Sequence, residues 1–150
     1  MITGKDENMK TFEAKITINA SPETIWNILT DANGYPDWDP AMDHIEGKLA
    51  PRETVKFFTK LSSQAFPVKV TAFEPDRKMV LTGGMPFGLF KSERTHTLTP
   101  AGNGQTSFHT KEIFSGLLLP IFGKNLPDLT ENFKGFAAAL KKQAEKNTSL

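Results

Sequence analysis

Arg94, His96 and Glu112 are the residues of this sequence best suited to acid–base chemistry. All three fall in one stretch, SERTHTLTPAGNGQTSFHTKEIF (92–114). On a bound carbonyl compound a glutamate can abstract a proton while a histidine or an arginine stabilises the enolate-like oxygen that develops. Such a set would serve an aldol cyclisation or a dehydration. Whether the three meet depends on register, because a one-residue slip turns every side chain of a strand to the other face. The stretch reads as a hairpin across PAGNG. An even pairing centred on Gly102 sets Leu98 opposite Thr106, His96 opposite Phe108 and Arg94 opposite Thr110, with Leu98, Phe108 and Phe114 on one face. An odd pairing sets His96 against His109 but turns Phe108 and Phe114 away from Leu98. The even pairing gathers more apolar area and is the one expected. It brings Arg94, His96, Thr110 and Glu112 to the inner face, with Arg94 and Glu112 as diagonal neighbours in reach of an ion pair. A buried charge must be paired or hydrogen-bonded. Two readings therefore stand together: a structural ion pair beside a hydrogen-bonded histidine, or a polar set that meets a ligand or water.

Other chemistries find less support. In GLLLPIFGKN (116–125) Gly116 and Gly123 enclose six residues where a phosphate loop needs four, and Asn125 stands where Ser or Thr would bind magnesium. No GxGxxG, GxSxG or HExxH pattern occurs, and no Ser or Thr has an identifiable base beside it. His44, His96 and His109 are scattered, so neither a metal nor a cofactor is expected. With no cysteine, disulfides, thiolate sites and thiol nucleophiles are excluded. Lys and Arg number 18 against 17 Asp and Glu, a balance that offers nucleic acid no electrostatic footprint. The opening MITGKDENMK lacks the apolar core of a signal peptide, and no stretch is long and apolar enough to span a membrane. A cytoplasmic location is expected, and a homodimer is compatible with the sequence.

The elements that must position these residues follow from periodicity. At 150 residues the chain can bury one good core. Residues 1–9 read as a loose tail and 10–146 as a single domain. TFEAKITINA alternates, with Phe12, Ala14, Ile16 and Ile18 on one face of a strand. SPETIWNILTD opens a helix, with Ser21 as N-cap, Pro22 at the first position, and Trp26, Leu29 and Ile25 on its apolar side. ANGYPDWDP ends it in turn chemistry. Residues 43–115 then read as strand after strand: Val55, Phe57, Thr59 and Leu61 share a face, Val68, Val70 and Ala72 another, and Met79 and Leu81 point inward. Last comes a long amphipathic helix, with Leu126, Leu129, Phe133, Phe136, Ala137, Leu140 and Ala144 at steps of three and four. Asn125 and Pro127 suit its start. Gly135 inside it implies either a closely packed neighbour or a cavity kept open. One sheet and one helix, each with a single apolar face, must cover one another. The class is α+β, a curved antiparallel sheet of about seven strands gripping a C-terminal helix, with two short helices after strand 1.

Two connections are apolar where polar loops are usual: GGMPFGLF (83–90) and GLLLPIFGK (116–124). Both are expected at one end of the sheet, with Leu117, Leu118, Leu119, Ile121 and Phe122 facing Met85, Phe87 and Leu89. They would form the gate of a hydrophobic pocket, with glycines as hinges, or simply plug the sheet end.

The segment INASPETIWNILTDANGYPDWDP (18–40) resembles the opening of the START-like proteins of the SRPBCC superfamily, in particular the polyketide cyclase/dehydrase and lipid-transport branch. Ala20-Ser21-Pro22 matches the family's strand-to-helix junction, Trp26 its helix aromatic, and Tyr35-Pro36-Asp37-Trp38 the turn before its second strand. The rhythm Thr106, Phe108, Thr110, Glu112, Phe114, Gly116 matches its last long strand, and GLLLP the entry to its final helix. The resemblance covers residues 10–145. It implies a helix-grip fold enclosing a hydrophobic cavity whose wall is the core itself. Candidate ligand-binding residues are then Trp38, Phe57, Leu81, Phe87, Arg94, His96, Phe108, Glu112, Phe114, Leu118, Phe133 and Phe136. Three functions compete: carriage of a small hydrophobic molecule such as a lipid, quinone or polyketide-like compound; a cyclase or dehydratase using Glu112, His96 and Arg94; and a module docking a protein or membrane through the apolar loops.

Overall fold

A computed structural model describes residues 9–60, 62–122 and 127–148. The expected tail up to residue 8, Leu61, and the helix-start residues Asn125 and Leu126 lie outside them. Strand β1 (Met9–Ile18) leads into α1 (Pro22–Leu29), a 3-10 turn (Ala32–Gly34) and the four-residue α2 (Tyr35–Trp38). Strands β2 (Met42–Glu46), β3 (Thr54–Thr59), β4 (Phe66–Glu74), β5 (Lys78–Met85), β6 (Phe90–Gly102) and β7 (Gln105–Ser115) follow. A short α3 (Leu119–Phe122) and the long α4 (Thr130–Thr148) complete the order. The seven strands form one antiparallel sheet in the order β1-β7-β6-β5-β4-β3-β2, so the first two strands in sequence are its two edges.

Local chemistry sets these elements as the periodicity predicts. Ser21 caps α1 by accepting from the Thr24 amide at 3.2 Å, and Pro22 begins the helix. Ile25, Trp26 and Leu29 are buried beneath it. Along α4, Phe133, Ala137, Leu140 and Ala144 form the buried stripe. The helix is tied to the end of β1 at its far end. Lys141 donates to the Thr17 carbonyl at 3.0 Å, and the Asn19 amide donates to Glu145 at 2.9 Å.

Four expectations need correction. The 92–114 hairpin has the even parity expected, but Arg94 pairs with Glu112, His96 with Thr110 and Leu98 with Phe108, two residues away from a pairing centred on Gly102. The turn is the two-residue Asn103-Gly104, both at positive φ (55° and 76°), which fits the type I′ hairpin; a shift between Pro100 and Gly102 absorbs the offset. In β4 a bulge between Val70 and Ala72 inverts the alternation. Ala72 thereby pairs with Val80, while Phe73 packs inward on Trp26, their rings 5.1 Å apart. Gly135 has neither a close neighbour nor a cavity beside it: a Cβ there would meet nothing within 4 Å, and the residue is exposed. Finally, the connection after β7 contains α3, whose Leu119 is buried, and the last helix begins at Thr130, where the Asp128 carboxylate accepts from the Thr130 amide at 2.9 Å.

Candidate functional site

The inner face of β6 and β7 carries a polar group under the N-terminal half of α4. Glu112 sits between Phe12 on one side and Arg94 on the other, and Arg94 lies between Glu112 and Leu81. The guanidinium donates twice to a single glutamate oxygen, Oε1, from Nε at 3.0 Å and from Nη2 at 2.5 Å. No described donor meets Oε2. The Glu112 side chain is buried and that of Arg94 is 28% exposed, with its guanidinium 4.9 Å from the centre of the Phe133 ring. This is a charge-assisted, cation–π-backed pair at the mouth of the grip rather than a fully dry one. Direct opposition across the strands, not the expected diagonal, is what lets both nitrogens reach one oxygen.

His96 lies deeper, 2% exposed, stacked on Phe136 (5.4 Å, 13°) and tilted against Phe108 (5.6 Å). Burial, and then the Arg94 charge, push its imidazole down to about 3, so it is neutral at physiological pH. Its strand partner Thr110 is also fully buried. Neither His96 Nδ1 nor Thr110 Oγ1 has a hydrogen-bond partner among the described residues, although the two residues are neighbours. Trp38 Nε1 and Thr59 Oγ1 are likewise buried without a protein partner. Trp38 continues the ring chain, 5.4 Å from Phe136 and 4.8 Å from Tyr35. Buried polar atoms are ordinarily bonded, and each exception calls for an explanation.

Two residues absent from the sequence-derived set belong here. Asp39, directly after α2, is 4% exposed; its Oδ1 accepts from the Ala41 amide at 3.0 Å. Burial raises its carboxyl above the ordinary value, while the Ala41 amide and then the Arg94 and Lys60 charges oppose that rise. Tyr35 donates its hydroxyl to the Leu29 carbonyl at 2.7 Å, and burial, with the Asp39 charge, raises it. Only the run YPDWD signalled them, and turn composition there gave no hint of burial.

The remaining candidates fall in three places. Phe108 and Leu81 are core, and Phe57 packs partly buried against it. Phe114 joins Phe12 (6.1 Å) and Phe90 (5.9 Å), and Phe12 lies 6.2 Å from Phe133, forming an aromatic row beside the ion pair. Phe87 and Leu118 lie in the apolar loops. Those loops meet, but through backbone: Leu117 N–H donates to Gly88 at 3.1 Å and Leu118 N–H to Leu89 at 2.8 Å. Of the side chains expected to face one another there, several stand in solvent, while Leu89 and Leu118 are half-buried. Phe87 is 91% exposed, Leu117 and Ile121 also stand outward, and Leu119 is buried. Gly116 has a packing reason of its own: at φ 124° a Cβ would lie 2.6 Å from the Leu89 carbonyl, so close backbone approach demands glycine.

Two grooves lie outside the grip. One of about 720 Å³ runs between the start of α1 and the Asp76–Lys78 turn, at the opposite end from the apolar loops. The other, about 440 Å³, is lined by Asn27, Asp31, Asp37, Gln143 and the back of Trp38. Among the described residues no three His, Asp or Glu side chains are grouped to hold a metal, and no helix is long and apolar enough to cross a membrane.

The model of the polyketide cyclase / dehydrase and lipid transport family matches residues 9–145. The chain belongs to this family. Members typically bind small hydrophobic ligands. Among solved structures, a START superfamily protein from Mycobacterium smegmatis is 19% identical, with a TM-score of 0.69, covering 91% of this chain and 97% of that one. The Zhui aromatase/cyclase from Streptomyces sp. R1128 is 13% identical (TM-score 0.72; 93% and 96% covered). Norcoclaurine synthase from Thalictrum flavum, solved with dopamine and hydroxybenzaldehyde, is 14% identical (TM-score 0.69; 97% and 92% covered). At these identities the likeness shows the helix-grip fold and nothing finer. No curated protein matches the sequence.

Proposed function

We propose that the protein binds a small hydrophobic molecule between the inner face of the sheet and α4, with the apolar loops 83–90 and 116–124 at its entrance. The observation that carries this is the set of four buried polar atoms without a partner among the described residues, on Trp38, Thr59, His96 and Thr110, within an otherwise apolar interior. A purely structural core would bond such atoms or replace them with apolar ones. Native mass spectrometry of the purified protein, followed by solvent extraction, tests it. A retained lipid, quinone or polyketide-like compound, or a thermal shift with a hydrophobic panel, is expected. A clean apo mass together with no shift would overturn it.

A cyclase or dehydratase uses the same residues. In that reading Glu112 Oε2, left over by Arg94, would take a proton, and the guanidinium hydrogens beyond those on Oε1 would hold a developing oxyanion. Glu112→Gln separates the two: turnover of an identified ligand lost while binding persists makes the protein an enzyme.

A further inference from the structure

We propose that the end of the sheet carrying the apolar loops seats the protein on an anionic phospholipid surface, with Phe87, Leu117 and Ile121 entering the bilayer interface and Lys60 and Lys91 meeting the headgroups. The proposal concerns the outer surface and holds whether or not the interior takes a ligand. Among the described residues six large apolar side chains are exposed: Met9, Phe66, Met85, Phe87, Leu117 and Ile121. Strand pairing brings all six to one end. Met85 pairs with Phe90, Lys91 with Ser115, and Ser115 with Met9. Phe66 lies two residues beyond the Val68–Gly83 pair, level with Met85, and Leu117 and Ile121 follow the end of β7. The opposite end, with the β2–β3, β4–β5 and β6–β7 turns, exposes none among the described residues. Single exposed apolar residues are ordinary, but a gathered set marks a binding surface. Phe87 is the extreme case: a bulky ring held at φ 62° strains backbone that Gly or Asn would adopt freely, and 91% of it is exposed. The fold gains nothing from that ring, so contact with something outside the chain accounts for it. Leu117 N–H to Gly88 and Leu118 N–H to Leu89 hold the two loop tips side by side.

Charge selects the occupant. The chain as a whole is nearly balanced, with 18 Lys and Arg against 17 Asp and Glu, but this end is not. Segments 60–67, 84–92 and 115–122 contain Lys60 and Lys91 and no acidic residue. Both lysines are exposed. Acids on the adjoining elements are engaged: Glu93 with Lys91 at 3.7 Å, Asp43 with His44 at 3.0 Å, Glu131 with Lys134 at 3.5 Å, and Asp128 at the start of α4. Apolar side chains flanked by lysines suit anionic headgroups lying over acyl chains, because the lysine stems can follow the apolar layer while their ammonium groups stay outside it. Shape agrees. The six side chains stand at the ends of separate strands and loops, and none of them lines either groove described above. A fluid bilayer accommodates such projections, whereas a folded partner would need a matching cleft.

The test is flotation of the full chain with vesicles of phosphatidylcholine containing about one third phosphatidylglycerol, and with vesicles of phosphatidylcholine alone. Partition into the anionic vesicles is expected to be about tenfold stronger, and the difference should shrink as salt is raised. Phe87→Asn should lower partition about tenfold without lowering Tm. Lys60→Gln combined with Lys91→Gln should remove the preference for anionic vesicles and leave the phosphatidylcholine value within about twofold. Thr110→Val alters only the interior and should leave every partition within about twofold. A loss in Thr110→Val equal to that in Phe87→Asn would mean that the vesicles supply an interior ligand; the docking inference then falls and the hydrophobic-ligand reading stands. No partition into either vesicle, or partition that Phe87→Asn leaves unchanged, overturns the inference. So does a dimer, seen by sedimentation velocity without vesicle binding, that Phe87→Asn dissolves, because the patch would then belong to a second copy of the chain.

Discussion

Thr106 and Thr110 lie on the same face of β7, both buried to within 1% exposure, yet replacing each with valine should change stability in opposite directions. The Thr106 hydroxyl donates to the Ala20 carbonyl at 2.7 Å, closing the strand-to-helix junction. Its removal orphans a buried carbonyl, an effect of about 1–3 kcal/mol against the fold. The Thr110 hydroxyl has no protein partner, so the folded state already bears its desolvation penalty. Valine has nearly the same shape and suits a strand at least as well, so Thr110→Val should stabilise ligand-free protein by about 1–2 kcal/mol. In a domain of this size that is a rise in Tm of roughly 2–8 °C, against a fall of similar or larger size for Thr106→Val. Calorimetry and urea unfolding on protein stripped of ligand would measure both, with unchanged m-values showing that the denatured state is not responsible. Ligand affinity should fall in Thr110→Val alone. A Tm that drops in Thr110→Val as it does in Thr106→Val would show that the hydroxyl serves the fold, and would remove a principal support for the ligand site.

Three more outcomes follow from single residues. His96 is held at about 3 in the folded chain against an ordinary 6.5, so the unfolded chain binds the extra proton between those values. Stability should therefore fall as pH drops from about 6.5 toward 3, with His96→Phe removing that part of the slope, and NMR should show a neutral imidazole at pH 5; a ring titrating near 6.5 would contradict it. Gly135→Ala should add about 0.5–1 kcal/mol in urea unfolding, since a Cβ there meets open space on an exposed helical face. Phe87 and Gly88 hold φ of 62° and 69° in a turn closed by Leu89 N–H to Pro86 at 3.3 Å, a geometry that suits asparagine. Phe87→Asn should gain about 1 kcal/mol by the same assay, and a loss would mean that the exposed ring makes contacts in solution.

Much of the fold was legible because periodic patterns survive in a single sequence. The alternation of β1, the Ser21-Pro22 start of α1, the stripe of α4 and the shared face of Arg94, His96 and Glu112 all follow from side-chain spacing. Parity was recoverable from apolar area. The two-residue offset was not, since it depends on a type I′ turn at Asn103-Gly104 combined with an irregularity at Gly102. The β4 bulge hid Phe73 in the same way: one extra residue reverses a pattern without altering composition. Asp39 was missed for a different reason. It lies in a turn-rich run with no period, and only the packing of α2 buries it. The meeting of the apolar loops was foreseen from their composition, but backbone hydrogen bonds make it, and those leave no trace in residue type.

The strand order has a kinetic consequence. β1 is made first, yet its only sheet partner is β7: Met9 pairs with Ser115 and Ile18 with Thr106. Nearly the whole domain must leave the ribosome before that edge is filled. Until then the six strands β2 to β7 can pair in succession as local hairpins, while β1 waits with unpaired amides and a half-apolar face. Closure of the sheet is thus a long-range event, of the kind whose loop entropy must be overcome before its contacts form. The nascent chain is most open to aggregation in the interval between the first strand and the last.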